Sequence, residues 1–375
     1  MIYQEFQELR LSSLGLGTMR LPVVGGNQAE IDIPAATELV DLAMAQGVNY
    51  FDTAWGYHGG NSEKVLGQAL RRHPRDSFFL ADKFPGYDLG NMGKVEEIFE
   101  EQLRKCQVDY FDFYLLHNVC ELNLAAYLDP QYGILDYLLK QKAAGRIRHL
   151  GFSAHGGLEI LKRFLDAWGG YMEFCQIQLN YLDWTLQDAK SKVELLNARH
   201  LPIWVMEPLR GGKLAQLPHA GGLSALRPDE GIPAWGFRFL QSIPGVTMIL
   251  SGMSNKDQLL DNLRTFETRR PLDAQETEAL LALAGDLLRQ NGLPCTACSY
   301  CVSHCPQGLD IPALLNLYNE YSLSGGVILA RIALSAVPEE KWPSACVACR
   351  SCEAVCPQQI KISEALAILA QKLDG

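Results

Sequence analysis

The chain has 375 residues, of which 48% are hydrophobic and 20% charged, a composition typical of a globular protein with one large and one small domain. Its net charge of −10 argues against a nucleic-acid partner, because no segment gathers Lys and Arg into a basic stripe. The first ten residues do not resemble a secretory signal, and no apolar stretch approaches the ~20 residues of a membrane helix. We therefore expect a cytoplasmic protein without a membrane partner.

From residue 13 to about 270, short apolar runs alternate with amphipathic stretches. Residues 36–46, A-T-E-L-V-D-L-A-M-A-Q, have apolar side chains at about every third or fourth position, which indicates a helix with one buried face. The predicted strands are 14–17, 48–54, 77–83, 111–117, 148–153, 174–180, 202–207 and 246–251.

Continuous apolar strands separated by helices favour a parallel sheet that is covered on both faces. Eight strand–helix units over roughly 260 residues fit an α/β fold of the TIM (β/α)8 barrel type. A doubly wound sheet is the alternative architecture. The segment G-L-G-T-M-R at 15–20 supports it weakly, because it is a partial G-x-G-x-x-G that does not open a helix at once.

Catalytic side chains of such a barrel lie at the carboxyl ends of the strands. Asp52 ends the second predicted strand, Tyr57 follows it, Lys83 ends the third and His117 ends the fourth. Each alone could be a buried ion pair or a loop-packing residue. Together they form a plausible proton donor, in which Asp52 holds Lys83 and the ammonium lowers the pKa of the Tyr57 phenol from ~10 towards neutrality. His117 would orient the substrate oxygen or share its proton.

Three segments carry a resemblance to a known family: N-Y-F-D-T-A-W-G-Y-H-G-G-N-S-E-K-V-L-G at 49–67, L-A-D-K at 80–83 and Y-L-L-H at 114–117. They resemble the aldo-keto reductase signature, over about residues 10–266. The resemblance implies that Tyr57 is the general acid, that Lys83 and Asp52 tune its pKa, and that His117 orients the substrate. It also implies NADPH extended across the top of the barrel and hydride transfer to an aldehyde or ketone.

The same resemblance implies a nicotinamide site. Gln176 and Ser153 match the family's contacts to the nicotinamide amide, but Ala154 stands where the family has Asn. The family's aromatic platform falls near Met206.

The resemblance also implies an adenosine-phosphate loop at 251–262, where a helix N-terminus would attract a phosphate. The matching residues are Gly252, Asn255, Gln258 and Asn262. Ser254 replaces the Arg that usually grips the 2′-phosphate, so the choice between NADP(H) and NAD(H) stays open, with Lys256 as a possible substitute charge.

A glycine-rich loop begins at L-R-G-G-K-L, residues 209–214. Gly211 and Gly212 would allow close approach of a pyrophosphate to the backbone, but they suit a plain surface loop equally well. We expect substrate specificity to come from the regions around Trp55, Trp184 and 209–232, without an indication of which small carbonyl compound is bound.

The barrel pattern ends at R-R-P-L-D, residues 269–273, and a helix is predicted over 274–290, ended by Asn291–Gly292. We predict two domains, 1–272 and 273–375.

The second domain contains two cysteine runs, C-T-A-C-S-Y-C-V-S-H-C-P at 295–306 and C-V-A-C-R-S-C-E-A-V-C-P at 346–357. Each matches the C-x2-C-x2-C-x3-C-P run of [4Fe-4S] proteins, in which three thiolates bind one cluster and the Pro directs the fourth Cys to the other. One predicted cluster is bound by Cys295, Cys298, Cys301 and Cys356. The other is bound by Cys346, Cys349, Cys352 and Cys305.

Zinc and disulfides are the alternatives for these cysteines. A zinc ribbon needs two C-x-x-C pairs, not two sets of four ending in Pro, and a reducing compartment keeps thiols free for metal. Cys106, Cys120 and Cys175 are scattered and are interpreted as packing residues.

The forty residues between Cys305 and Cys346 look helical and resemble the small all-α ferredoxin-like domain of electron-transfer enzymes. The whole chain therefore resembles the iron–sulfur branch of the aldo-keto reductases.

Three functions remain open. The chain could be an NAD(P)H-dependent carbonyl reductase whose clusters hold the C-terminal domain together. It could be an electron relay between a ferredoxin-like partner and the barrel, which would need a flavin or a substrate that accepts single electrons, and no convincing flavin motif is present. It could be a redox-linked binding module without catalysis, which the complete set of four catalytic candidates disfavours.

Overall fold

The computed structural model describes residues 1–216, 221–295 and 297–374. Residues 217–220 of the glycine-rich loop, Thr296 of the first cysteine run and Gly375 of the second predicted domain lie outside these ranges. The strands are β1 Tyr3–Phe6, β2 Leu9–Ser12, β3 Leu14–Gly17, β4 Tyr50–Asp52, β5 Phe79–Phe84, β6 Phe111–Val119, β7 Ile147–Ala154, β8 Cys175–Gln178, β9 Ile203–Met206 and β10 Val246–Ser251.

Strands β3 to β10 close into a barrel in the order β10-β3-β4-β5-β6-β7-β8-β9, with every neighbouring pair parallel. All eight predicted strands are present, which confirms the TIM barrel and rules out the doubly wound sheet. The register sets Asp52 of β4 beside Ala81 of β5, and Lys83 two residues further along. The carboxyl ends of these strands therefore meet at one end of the barrel.

Helices surround the barrel and form the C-terminal region. Those of the barrel are α1 Ile33–Ala45, α2 Ser62–Leu70, α3 Val95–Cys106, α4 Leu124–Leu128, α5 Ile134–Ala143, α6 Leu158–Trp168, α7 Asp183–Leu186, α8 Ala189–Ala198, α9 Gly221–Leu226, α10 Ile232–Ser242 and α11 Lys256–Thr265. The C-terminal helices are α12 Ala274–Asn291, α13 Ile311–Ser324, α14 Ile328–Leu334, α15 Ser351–Ala354 and α16 Ile362–Asp374. None of the helices in the described residues is long and apolar enough to cross a bilayer.

An N-terminal hairpin, β1–β2, closes the amino end of the barrel and was not predicted from the sequence. Its two strands pair antiparallel, and Gln7 takes a left-handed conformation (φ 53°) at the turn. Phe6 contacts the rings of Phe113 and Trp204 in the barrel interior, with centroid distances of 5.7 and 5.0 Å. The end opposite the predicted catalytic residues is thus sealed by aromatic packing.

Helix α12 follows the predicted boundary and begins with a capping box. The Asp273 carboxylate accepts from the Glu276 backbone N–H at 2.9 Å, and the Glu276 carboxylate accepts from the Asp273 N–H at 2.9 Å. Leu280 and Ala284 on α12 are buried in the core of the barrel. This helix therefore joins the C-terminal region to the barrel by apolar packing.

The C-terminal region has its own core, which confirms a small all-α unit. Leu314 and Leu315 of α13 pack against Leu366 and Leu369 of α16. Cys301 and Cys352 are buried within the same core, so the thiols are part of its packing.

Gly67 of α2 lies against the backbone at the C-terminal end of α3. A Cβ there would lie 2.4 Å from the backbone oxygen of Cys106, so Gly67→Ala should cost about 1–3 kcal/mol by overpacking and lower the melting temperature measured anaerobically by circular dichroism. Gly285→Ala is the matched control, because its Cβ would meet only the flexible end of Arg289 and should stabilise α12 by helix propensity. Equal melting temperatures for the two variants would contradict the prediction.

Candidate active site and iron–sulfur cysteines

A buried ion pair lies at the carboxyl end of the barrel. Lys83 Nζ donates to Asp52 Oδ1 and to the backbone oxygen of Thr53, both at 2.6 Å. Lys83 is fully buried and Asp52 is 2% exposed. Burial lowers the pKa of Lys83, but the charge and hydrogen bond of Asp52, with the nearby Tyr57 and Asp82, together outweigh it. The net pKa is raised, so the ammonium stays charged.

Tyr57 lies beside this pair, at the start of a turn that contains two left-handed residues. His58 and Gly59 both take left-handed conformations (φ 53° and 63°). The His58 ring is fixed by the Leu21 N–H at 3.2 Å and the Gln28 carbonyl at 2.6 Å. This anchored turn holds the Tyr57 ring with its centroid 5.2 Å from Lys83 Nζ.

His117, in β6 near its carboxyl end, completes the group. Its ring centroid is 6.1 Å from that of Tyr57 and 5.3 Å from that of Tyr87. Burial, with the nearby Lys83 charge, lowers the pKa of His117 well below its usual value. The imidazole is therefore neutral, and its buried Nδ1 has no hydrogen-bond partner in the described part of the chain. The four sequence-predicted residues are brought together.

The expected direction of the Tyr57 pKa is wrong. Burial raises the pKa of Tyr57, and the opposing effect of Lys83 is smaller. Desolvation destabilises the phenolate by more than its attraction to one ammonium at this distance stabilises it. The phenol is therefore fully protonated at neutral pH.

Behind Lys83 lies a polar cluster that the sequence reasoning missed. Gln102 Nε2 donates to the Lys83 backbone oxygen at 2.9 Å and to Glu63 Oε1 at 3.2 Å, while Cys106 Sγ contacts Asp82 Oδ2 at 3.7 Å. Burial, followed by repulsion from Glu63, raises the pKa of Asp82 well above its usual value. The sequence indicated this cluster only through Asp82, a second acidic residue next to Lys83 on an apolar strand.

A cavity of about 320 Å³ opens from Asp52 and Tyr57 and extends across the top of the barrel. The predicted cofactor residues that line it are Gln176, Gly211, Gly212, Gly252, Ser254, Gln258 and Asn262. Met206 also lines it, at the place where the family has an aromatic ring. The residues predicted for the nicotinamide and phosphate contacts are therefore largely on one continuous wall.

Two of the predicted cofactor residues are not among those lining this cavity. Ser153 is fully buried, and its Oγ accepts from the Asn118 N–H at 2.8 Å. Asn255 caps α11, its side chain accepting from the Gln258 N–H at 2.9 Å. In the described structure both residues stabilise the local backbone.

The cavity suits a nicotinamide nucleotide. Gln176 is buried, and its side chain forms part of the cavity wall. Its Oε1 has no hydrogen-bond partner among the described residues. An unsatisfied buried oxygen costs free energy unless a ligand donates to it. A carboxamide N–H₂ beside Tyr57 is such a donor.

At the phosphate end of the cavity, the positively charged side chain on the wall is not the one that the sequence suggested. Lys256, considered as a phosphate contact, forms an exposed ion pair with Glu38 at 2.8 Å. Arg20 lines the cavity instead and pairs with Glu207 at 3.3 Å. Sequence reasoning missed both Arg20 and Glu207, although each follows a barrel strand at its carboxyl end, which was the rule that identified Asp52 and Lys83.

The first predicted set of cluster cysteines converges on one cavity. Cys295, Cys298, Cys301 and Cys356 line one small cavity, together with apolar residues such as Pro312 and Leu315. Cys356 comes from the second run, as the crossed pattern requires. All eleven cysteines, each within the described ranges, are free thiols.

These four thiols fit an iron–sulfur cluster. No three His, Cys, Asp or Glu side chains in residues 1–216, 221–295 and 297–374 are arranged to hold a single metal ion. The thiols line a space with apolar walls, and thiolates are the ligands that cubane clusters use.

The second set has the same exposure pattern as the first, with one buried, one exposed and two half-buried thiols. Cys352 is buried, and burial with nearby Glu353, Cys346 and Cys349 raises its pKa to about 11. Cys305 packs against the same C-terminal core as Cys346. Cys349 and, from the first set, Cys298 are exposed.

Comparison with solved structures finds the same barrel. An aldo-keto reductase from Bacillus halodurans has a TM-score of 0.61 and 24% identity, covering 76% of this chain and 96% of that one. An aldo/keto reductase from Klebsiella pneumoniae, solved with NADP and acetate, has a TM-score of 0.61 and 21% identity, covering 74% and 93%.

Three sequence relatives are 24–30% identical to this chain. The Bacillus subtilis oxidoreductase YqkF is 24% identical over 73% of this chain and 92% of its own length. The NADH-specific methylglyoxal reductase of Escherichia coli is 26% identical over 55% and 66%, and the L-galactose dehydrogenase of Arabidopsis thaliana is 30% identical over 42% and 49%.

Two family descriptions match the chain in succession. The 4Fe-4S dicluster domain matches residues 294–360. The aldo/keto reductase family matches residues 13–221, more than half of the sequence. The chain belongs to the aldo/keto reductase family, as an oxidoreductase with a 4Fe-4S dicluster domain at its C-terminus.

Proposed function

We propose that the barrel reduces a small aldehyde or ketone with NADPH or NADH, using Tyr57 as the general acid. The observation that carries the proposal is the placement of Tyr57 next to the buried Lys83–Asp52 pair, on the wall of the cavity that Gln176 also lines. A proton donor and a nicotinamide contact then serve the same space.

A nicotinamide held in this cavity, with Gln176 at its carboxamide, would supply a hydride to the carbonyl carbon. As the C=O electron pair moves to oxygen, Tyr57 donates its phenolic proton there and an alcohol forms. The raised pKa keeps Tyr57 in its acid form, and the charged Lys83 stabilises the phenolate that remains. Tyr57 is partly exposed, so solvent can return the proton.

His117 has an orienting role in this scheme. As a neutral imidazole beside Tyr57, it can hydrogen-bond the carbonyl oxygen without competing for the proton. Asp52 holds Lys83 in place and keeps the ammonium charged.

Both nucleotides remain candidates for this chain. One relative is named NADH-specific, and one structural neighbour contains NADP. Ser254 offers no positive charge to a 2′-phosphate, whereas Arg20 lies on the cavity wall near Gly252. A small carbonyl substrate agrees with the name of the Escherichia coli relative.

In the C-terminal domain, we propose two [4Fe-4S] clusters with the crossed ligand sets given above and a domain division at residues 272/273. A second candidate function is an electron relay from a ferredoxin-like partner. It is favoured by the exposure of Cys298 and Cys349, one from each run, which would bring both clusters near the surface.

Tyr57→Phe should lower kcat for reduction of methylglyoxal or a similar carbonyl by about 10²–10⁴-fold, because the proton donor is lost. Nucleotide affinity should change little, since Phe keeps the ring. Tyr87→Phe is the matched control, because it removes a second phenol next to His117 without removing the proposed acid. Retained turnover in Tyr57→Phe would exclude Tyr57 as the acid.

The pH dependence of kcat/KM follows from two opposite pKa shifts. Tyr57 must be protonated, and its raised pKa moves the loss of activity above about pH 10. His117 must be neutral, and its lowered pKa moves the acid-side loss well below about pH 6.5. Reduction rates should therefore be flat from about pH 6.5 to about pH 9. A transition within that range, with cluster absorbance unchanged, would contradict these roles.

The crossed ligation can be tested with single thiol deletions. Wild-type protein purified anaerobically should contain about eight iron and eight sulfide per chain. Cys356→Ala and Cys298→Ala should lose the same electron paramagnetic resonance signal, because both residues line one cavity, whereas Cys349→Ala should lose the other.

Cys120→Ala, a thiol outside both sets, is the control for this series. Different signals lost in Cys356→Ala and Cys298→Ala would refute the crossed assignment. Reduction of the wild-type clusters by NADPH would favour the relay.

A further inference from the structure

The loop Arg210–Ala215 forms part of the wall of the nucleotide cavity. Gly211 and Gly212 line it, and both take left-handed conformations (φ 67° and 89°) that L side chains rarely adopt. The loop lies beyond the end of β9, outside the hydrogen-bonded barrel. Backbone hydrogen bonds, such as that from the Gly212 N–H to the Leu209 oxygen at 2.9 Å, shape the loop, and side-chain contacts join it to neighbouring elements.

Arg210, at the start of this loop, provides the first contact. Its side chain is 6% exposed, and Nε donates to the two carboxylate oxygens of Asp183 at 3.1 and 3.3 Å. Asp183 also accepts from Gln178 at 2.8 Å and from Asn180 at 2.6 Å. One side of Arg210 is thus tied to the end of β8.

The other side of Arg210 is held by the C-terminal region. Its Nη2 donates to Glu320 of α13, a buried carboxylate that also accepts from Gln187 at 3.0 Å. Lys213 of the same loop donates to the backbone oxygens of Leu323 and Ser324 at the end of α13. Two cations of the loop are therefore bound by one helix.

The opposite end of α13 belongs to the thiol cavity. Pro312 and Leu315 line the space that Cys295, Cys298, Cys301 and Cys356 surround. Pro312 and Glu320 are separated by eight residues, about 12 Å along a helix axis. A single rigid helix therefore connects the cysteine cavity to the loop of the nucleotide cavity.

We propose that Glu320 is a positioning residue for the nucleotide site, and that α13 makes nucleotide affinity depend on the C-terminal domain. The inference rests on the proposed use of NADPH or NADH. Glu320 holds Arg210 so that the backbone of Gly211 and Gly212 faces the cavity. Without that carboxylate, a buried guanidinium loses a partner, and the loop must shift to rehydrate it.

The test is nucleotide affinity, measured on cluster-loaded protein by titrating NADPH and NADH against tryptophan fluorescence. Glu320→Ala should weaken binding of the preferred nucleotide by about 10-fold, within the usual range of coupling between sites. Glu320→Gln keeps an acceptor oxygen and should recover part of the loss. KM for the carbonyl and kcat at saturating nucleotide should stay near wild type, because Tyr57 and Lys83 are not touched.

Glu276→Ala is the matched control. It breaks the Arg227–Glu276 pair (2.6 Å), which also ties a C-terminal helix to the barrel, and neither residue lines the cavity. Wild-type nucleotide affinity in Glu320→Ala, or an equal loss of affinity in Glu276→Ala, would overturn the inference.

If Glu320→Ala does not fold, Lys213→Met, at an exposed position, replaces it in the test. We expect about 3-fold weaker nucleotide binding, and an unchanged affinity would count against the inference. A wild-type protein that binds neither nucleotide would overturn the proposed function itself.

Discussion

The buried pair of Lys83 and Asp52 is the interaction on which the site depends. An ammonium without a partner at zero exposure would lose its charge, because desolvation favours the neutral amine. The barrel prevents this by placing Asp52 at the end of β4 and Lys83 near the end of β5, so that the two meet at 2.6 Å. In the proposed reaction, only a charged Lys83 can stabilise the phenolate of Tyr57. The chemistry therefore depends on strand register before it depends on any loop.

Burial and the charge of Lys83 have opposite effects on the pKa of Tyr57. Burial dominates its resting pKa and keeps the phenol protonated. In the proposed reaction, Lys83 stabilises the negative charge that remains after the proton has left. A sequence can suggest the Lys–Tyr contact, but the cost of desolvation depends on how many neighbours surround the ring, and those come from several strands. This is why the sequence predicted the partner correctly and the direction of the pKa wrongly.

Features with local signals could be predicted, and those that depend on distant packing could not. The eight barrel strands are apolar runs, and Asp52, Lys83 and His117 follow from the strand-end rule; the four-residue strands of the N-terminal hairpin are half polar and give no such signal. Arg210 and Glu320 are 110 residues apart, and neither has a neighbour in sequence that indicates a buried pair. Their contact exists only because α13 docks on the barrel. Ser153 and Asn255 fit the family pattern, yet in this chain they are engaged with the backbone.

The cysteine-rich region is more than an appendage in this arrangement. Its apolar core is small and includes Cys301 and Cys352, so clusters bound to these thiols would contribute folding free energy as well as redox capacity. Helix α13 is part of that core through Leu314 and Leu315, and it presents Glu320 to the barrel. Because the core orders α13, and α13 orders the loop at Gly211, a disturbance at the thiols reaches the nucleotide cavity through rigid packing. In the proposed arrangement, the two halves can therefore communicate through packing, without electron transfer.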